Sequence, residues 1–424
     1  MSGMNQRSPS ELVAAVDMGA SQVRCLIGRR EADGGVTPLG VGSQTMRRGA
    51  DCLSADFDAA ARFMAVAADQ AMRMSGAGLP PVMLSYGGPG LTSEIAQGSA
   101  VIGAGGVTAK TVEAAALAAS RNGARRGARI LGLSSVRFRI DGGPVLQDPV
   151  GQAGGSLMCE ASAILAPEAA IAALEACAHK AGLTLAGIAA TPVMAGEAVL
   201  THDERMAGAV LIDFGASHTG LAVFHGGEAV MAKTLALGAD RVTRALAQAL
   251  DTTMAAAERV KIAHADLSFQ ADVRGRPERG VVEYARLSED GRLGPGAASR
   301  AQVDTAARSA WLSWLTDVRA AIDAIDPRGQ WPAAFCGGAA LTPGLTAVVE
   351  RTLGRRARLA APRGFGVLDS AEGGPGYAAA CGLLRSACDA ELRSGAAVGA
   401  RFDLNPPRLQ AHVAKAWTWL RENL

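Results

Sequence analysis

Val16-Asp17-Met18-Gly19-Ala20-Ser21 near the start of the chain and Ile212-Asp213-Phe214-Gly215-Ala216-Ser217 in its middle are one phrase written twice. Each copy has an apolar, β-rich lead, then Asp-x-Gly-Ala-Ser, then a second apolar run ending in glycine, at 23–28 and at 221–227. The pattern predicts a strand, a tight turn of small residues and a returning strand. Hairpins of this kind are common, and one alone carries little meaning. Two with matching flanks predict duplicated lobes that grip a polyphosphate from both sides. Small side chains let backbone N–H groups approach phosphate oxygens closely. Asp17 and Asp213, at the strand ends, cannot touch phosphate directly, since both groups are anionic, but can hold Mg²⁺ through water.

The chain of 424 residues is long enough for two or more domains with cores of their own. With 49% apolar and 19% charged residues it has an ordinary globular composition. A net charge of +2 gives no global field for nucleic acid, so any basic function must be local. The seven cysteines are scattered and form no C-x-x-C, which argues against a zinc site or a disulfide framework and fits a reducing compartment. The first ten residues are polar, so no signal peptide is expected there. No run approaches the ~18 apolar residues of a spanning helix, so membrane contact is expected to be peripheral.

Strands are predicted over 12–16, 23–28 and 37–43, a helix over 55–75 with Phe57, Ala61, Met64 and Ala68 on one stripe, and a strand over 82–86. From 87 to 160 glycine-punctuated strands surround one helix, which reads as a small inserted α+β subdomain. A second α/β unit starts at 209, and 301–326 reads as a long helix burying Trp311, Leu315, Val318 and Ile322. The expected division is a first lobe at 10–86 and 161–208, the insert at 87–160, a second lobe core at 209–254 and 327–392, and its outer subdomain at 255–326. A Gly/Ala/Asp-rich linker at 393–407, ending in Asn405-Pro406-Pro407, then detaches a final helix at 408–424.

Two further groups belong to the candidate site. Gly337-Gly338-Ala339 reads as a turn into a helix whose N-terminus faces an adenosine ring or phosphate. Glu258 and Lys261 lie one helical turn apart, either as an exposed ion pair or as a clamp on ribose and adenine.

In this order, two phosphate hairpins, an A-E-x-x-K helix and a G-G-A turn, the chain resembles the superfamily of actin, heat-shock chaperones and sugar kinases. It is more specifically similar to the bacterial cell-division family FtsA. The supporting phrases are 13–19 through 27–28, Gly40-Val41-Gly42-Ser43 with Arg48-Gly49 after it, Asp148-Pro149-Val150-Gly151, and 200–205 before the second hairpin. The last is Cys336-Gly337-Gly338-Ala339-Ala340-Leu341-Thr342-Pro343-Gly344. The resemblance spans the chain. It implies a two-lobed actin-like α/β fold of duplicated ribonuclease H-like domains, with a small subdomain inserted in the first lobe. It also implies ATP and Mg²⁺ as ligands, self-assembly into filaments, and attachment to the inner face of the inner membrane at midcell. There the family tethers polymers of FtsZ through their C-terminal tail, and the insert contacts later division proteins. The alternatives on the same fold are a pilus-assembly actin homologue and a sugar or acetate kinase. For a kinase, no carboxylate base in a matching motif can be picked out.

The second turn departs from the family's usual Asp-x-Gly-Gly-Gly-Thr, since Ala216, Ser217 and His218 replace two glycines and a threonine. At positive φ, each non-glycine would cost ~1–2 kcal/mol. In the first turn Ala20 replaces a common hydroxyl and Gln22 a common lysine. The expectation is weak nucleotide binding and slow or absent hydrolysis.

On the final helix Leu409, Val413, Ala416, Trp417, Leu420 and Leu424 fall within an arc of about 100°. Trp419 flanks that arc, with Arg408, Lys415 and Arg421 outside it. An amphipathic helix more often docks on its own protein, but the Pro-Pro linker and terminal position favour anionic lipid. Burying four large apolar side chains at ~1.5–3 kcal/mol each outweighs basic residues at ~1 kcal/mol apiece. Arg274, Arg276, Arg279, Arg286 and Arg292 lie where the resemblance places the FtsZ tail.

Overall fold

The computed structural model of the chain describes residues 12–31, 35–46, 56–123, 127–146, 148–268, 280–288, 290–366 and 374–393. The first quoted phrase closes an antiparallel pair, β1 (Leu12–Met18) and β2 (Gln22–Arg30), whose register sets Asp17 opposite Arg24. β3 (Val36–Thr45) continues the meander. Its alternate glycines face the helix α1 (Phe57–Ser75), where a Cβ on Gly42 would stand 1.8 Å from the Ala67 carbonyl oxygen and one on Gly40 2.1 Å from that of Ala71. The Gly-x-Gly pair therefore lets the helix lie against the sheet. Asp56 caps α1 by accepting from the Ala59 N–H at 2.9 Å, and Gly76 ends it at φ 64°.

β4 (Val82–Tyr86) runs parallel to β1. The chain then leaves for a separate three-stranded antiparallel sheet made of β5 (Thr92–Val101), β6 (Ala128–Ile140) and β7 (Ser156–Pro167) in the order β5-β7-β6, with α2 (Ala109–Gly123) on one face. Val112, Ala115, Phe138, Leu157 and Cys159 give this sheet a core of its own. The expected border at 160 falls inside β7, whose later residues Ile164 and Ala166 join the core of the first lobe. After α3 (Glu168–Lys180), β8 (Leu185–Ala190) pairs with β4 and completes a sheet of order β3-β2-β1-β4-β8.

Two helices, α4 (Thr191–Val199) and α5 (His202–Ala207), lead to the second copy. β9 (Ala209–Phe214), β10 (Thr219–His225) and β11 (Glu228–Leu235) repeat the meander. α6 (Asp240–Ala249), α7 (Met254–His264), a hairpin of β12 (Val281–Leu287) and β13 (Leu293–Ser299), and α8 (Arg300–Asp323) follow. β14 (Ala333–Cys336), α9 (Leu345–Leu353) and β15 (Ala357–Leu359) close the second sheet in the order β11-β10-β9-β14-β15. Strand for strand this repeats the first sheet: an antiparallel meander of three, then two parallel strands. α4 packs against α10 (Ala378–Arg393), and the core there draws residues from both sheets, including Leu84, Ala195, Leu211, Cys336 and Leu384.

The second lobe has an aromatic centre. Trp311 and Trp314 of α8 stack at 4.3 Å, and Phe214 stands edge-on to both at 5.4 and 5.1 Å. Trp314 Nε1 donates to Thr219 Oγ1 at 2.9 Å, which satisfies the one polar atom of the buried indole. The Asp-Phe-Gly strand end is thereby anchored from beneath.

One expected element differs. The Gly-Gly-Ala turn leads into a single 3₁₀ turn, Gly338–Leu341, and the α-helix proper begins only at Leu345. Pro343 explains this, because it pushes Thr342 out of the helical region to φ −61°, ψ 122°.

Candidate functional site

Both turns close the same way. The Gly19 N–H donates to the Gln22 carbonyl at 3.0 Å, and the Gly215 N–H donates to the His218 carbonyl at 3.0 Å. Asp141 and Asp251 are the only non-glycine residues with positive φ among the described residues, so Ala20, Ser21, Ala216 and Ser217 sit in their turns without strain. The lost glycines of the second turn therefore carry no backbone penalty.

Between the turns lies a cavity of about 610 Å³. Asp17, Gly19, Ala20, Ser21 and Gln22 line it from the first lobe. From the second lobe come Asp213, Gly215, Ala216, His218, Glu258, Lys261, Gly337, Gly338 and Ala339. Ser217 is not part of this lining. Its hydroxyl donates to Asp240 Oδ2 at 3.0 Å, tying the turn to the start of α6, where the Asp240 N–H also reaches the Ala216 carbonyl at 2.9 Å.

Glu258 and Lys261 do form an ion pair, at 2.8 Å, but a nearly buried one, with each side chain about 12% exposed. The Thr243 hydroxyl donates to Glu258 Oε2 at 2.6 Å, and Lys261 Nζ donates to Thr243 Oγ1 at 2.9 Å. Folded over one hydroxyl, the pair is held rigidly at the wall of the cleft. An exposed pair would add only ~0.2–1 kcal/mol and would not be so fixed.

The aspartates differ. Asp17 is buried; its Oδ1 accepts from Ser85 Oγ at 2.7 Å, and Oδ2 lies 3.7 Å from Arg24 Nη1. Burial raises its pKa, against the pull of Arg24 and Ser85. Asp213 is pushed up to about 7, first by burial and then by the Asp17 charge, with Arg24 opposing. A divalent cation near the two carboxylates would relieve that repulsion. Two carboxylates and turns of backbone groups suit an ion held mostly by water and ligand oxygens. Among the described residues no cluster of three or more His, Cys, Asp or Glu forms a ready metal cage.

Gly337 is a point of close approach. Its φ is 93°, and a Cβ there would stand 2.4 Å from Asp213 Oδ1 and 2.5 Å from the Phe214 carbonyl oxygen. Only glycine lets β14 end this close to the second turn. The Gly337 N–H donates to the Pro375 carbonyl at 3.0 Å, which brings residues 374–377 into the cleft. Sequence reasoning missed these residues, as well as Ser85 and Arg24. Only Arg24 left a signal, since hairpin pairing sets it opposite Asp17.

The terminal helix with Arg408, Leu409, Val413, Lys415, Ala416, Trp417, Trp419, Leu420, Arg421 and Leu424 lies outside the described residues, as do Arg274, Arg276 and Arg279. Arg286 pairs with Asp251 at 3.2 Å, and Arg292 lies 3.6 Å from Asp290. Among the described residues no helix is long and apolar enough to cross a membrane.

The family model for cell division protein FtsA matches residues 210–382. The FtsA of Rhizobium meliloti (strain 1021) is 30% identical over 430 residues, covering 98% of this chain and 95% of that protein. The chain belongs to the FtsA family. The FtsA of Agrobacterium fabrum is 29% identical over the same coverage, and that of Escherichia coli (strain K12) 26% over 99% of this chain and all of its own length. Among solved structures, a PilM–PilN type IV pilus biogenesis complex superposes at TM-score 0.60 with 15% identity, over 89% of this chain and 98% of the other. That likeness shows the fold, which is actin-like, and membership in FtsA sets aside the kinase and pilus-assembly alternatives.

Proposed function

We infer that this FtsA-family chain binds ATP with Mg²⁺ in the cleft between the two turns and works as a filament-forming tether. In this reading it holds FtsZ polymers to the cytoplasmic membrane at midcell and recruits later division proteins through the insert. The observation that carries the reading is that both Asp-x-Gly-Ala-Ser turns, the Glu258–Lys261 pair and the Gly337 turn line one cavity. When bound, the nucleotide supplies a polyanion that draws the lobes together. The backbone N–H groups near Ala20, Ser21 and Ala216 would hold the phosphates, Glu258 and Lys261 the nucleoside, and Asp17 and Asp213 the water-bound Mg²⁺. The hydroxyls that flank the position of the missing threonine are both engaged, Ser217 by Asp240 and Thr219 by the Leu237 carbonyl. That supports slow or absent hydrolysis and a structural role for the ligand.

Anionic lipid is the proposed ligand of the 408–424 helix, and polymerisation multiplies its modest affinity. The FtsZ tail is the proposed ligand of the arginine-bearing region that contains Arg286 and Arg292. Sedimentation of the full chain with anionic vesicles tests the membrane half. Trp417→Glu is expected to leave the chain folded and abolish co-sedimentation, and unchanged pelleting would contradict it.

A further inference from the structure

Among the described residues that line the cleft, lysine and arginine occur twice. Lys261 is spoken for at the second-lobe wall by Glu258, the Thr243 hydroxyl and, at 3.4 Å, the Ala239 carbonyl. Arg24 stands near both turns. β2 carries it opposite Asp17, yet its Nη1 stays 3.7 Å from Asp17 Oδ2, beyond hydrogen-bond length. Its guanidinium lies 4.8 Å from the centre of the Tyr377 ring, and Nη2 donates to Gln22 Oε1. Gly376 leaves the room for it, since a Cβ there would stand 3.0 Å from Nη2.

Arg24 is only 12% exposed, and its Nε is buried without a hydrogen-bond partner. A guanidinium has five donors in a planar fork that matches phosphate oxygens. Burying one with donors unspent is unfavourable unless an anion arrives to take them. Pairing with Asp17 does not account for the arrangement, because that contact is long and the ring and Gln22 hold the fork beside the cavity.

The geometry points to Arg24 as the phosphate-binding side chain of this cleft, pre-positioned by Tyr377 and Gln22 to take the polyphosphate between the two turns. This rests on the nucleotide reading above. It also links the lobes, because the Tyr377 segment is bonded to the Gly337 turn through Pro375, so an anion on Arg24 acts on both walls.

Calorimetric titration of the full chain with ATP, ADP and adenosine, each with Mg²⁺, tests the assignment. Arg24→Met is expected to weaken ATP and ADP at least about tenfold, as loss of a charge-assisted hydrogen bond implies, and to leave adenosine unmoved. Raised salt is expected to weaken ATP binding less in that variant than in the wild type. Should Arg24→Met fail to fold, Arg24→Lys decides, since it keeps the charge and loses the fork: ATP is expected to weaken about threefold with adenosine unchanged. ATP held as tightly by Arg24→Met as by the wild type, or ATP and adenosine weakened alike in either variant, overturns the assignment. A wild-type chain that binds adenosine as well as ATP overturns it too, but leaves a nucleoside site standing. A wild-type chain that binds none of the three defeats the reading of the cleft itself.

Discussion

At the end of β1, Asp17 is closed in by the Ser85 hydroxyl and faced by Arg24. At the end of β9, Asp213 has no such hydroxyl among the described residues and feels Arg24 only at longer range, while the Gly337 backbone presses on it. The two turns share their letters and their closing hydrogen bond, yet one carboxylate is braced by side chains and the other by a close approach of main chain. A duplicated phrase thus specifies the hairpin twice and leaves its electrostatics to the surroundings. The charge state of each copy is set by its surroundings: burial opposed by Arg24 and Ser85 for Asp17, and burial with the Asp17 charge, opposed by Arg24 alone, for Asp213.

The largest effect expected from this difference is steric. Gly337→Ala forces a methyl group onto Asp213 and Phe214 at φ 93°, whereas Gly338→Ala places one in open space. The first is expected to lower unfolding stability by about 2–4 kcal/mol and the second by less than about 1 kcal/mol. Urea unfolding of both checks this, and equal losses would remove the special role of the close approach.

A smaller effect concerns pH. Asp213 titrates at about 7 in the folded chain against an ordinary value of 3.8. Between those values the folded chain keeps a proton that the unfolded chain has already released, so folding stability falls as pH rises through this window and is regained on acidification. Asp213→Asn removes that contribution. Without nucleotide or Mg²⁺, its urea midpoint is expected to fall less than the wild type's from pH 5 to pH 8. Parallel falls would show that folding does not raise the Asp213 pKa.

Most of the scaffold could be read from the chain because its signals are local. The repeated turn, the apolar stripe of α1 and the buried face of α8 each act within one or two neighbouring elements. Fourteen of the fifteen residues expected at the nucleotide reach one cavity, and the exception, Ser217, turns to Asp240 at the start of the next helix. Ser85 could not be read, because nothing near it in sequence shows that β4 lies beside β1. Tyr377 escaped for the same reason, being brought in by a backbone bond between Pro375 and Gly337. The shortened helix after Ala339 was legible in principle, since Pro343 is a local stop signal.

The central claim is that two unequal turns form one nucleotide site. Calorimetric titration of ATP into the intact wild-type chain, with and without Mg²⁺, tests it most directly. One saturable site per chain that tightens when Mg²⁺ is present is the predicted result. Heats that never saturate, or binding indifferent to Mg²⁺, would contradict it.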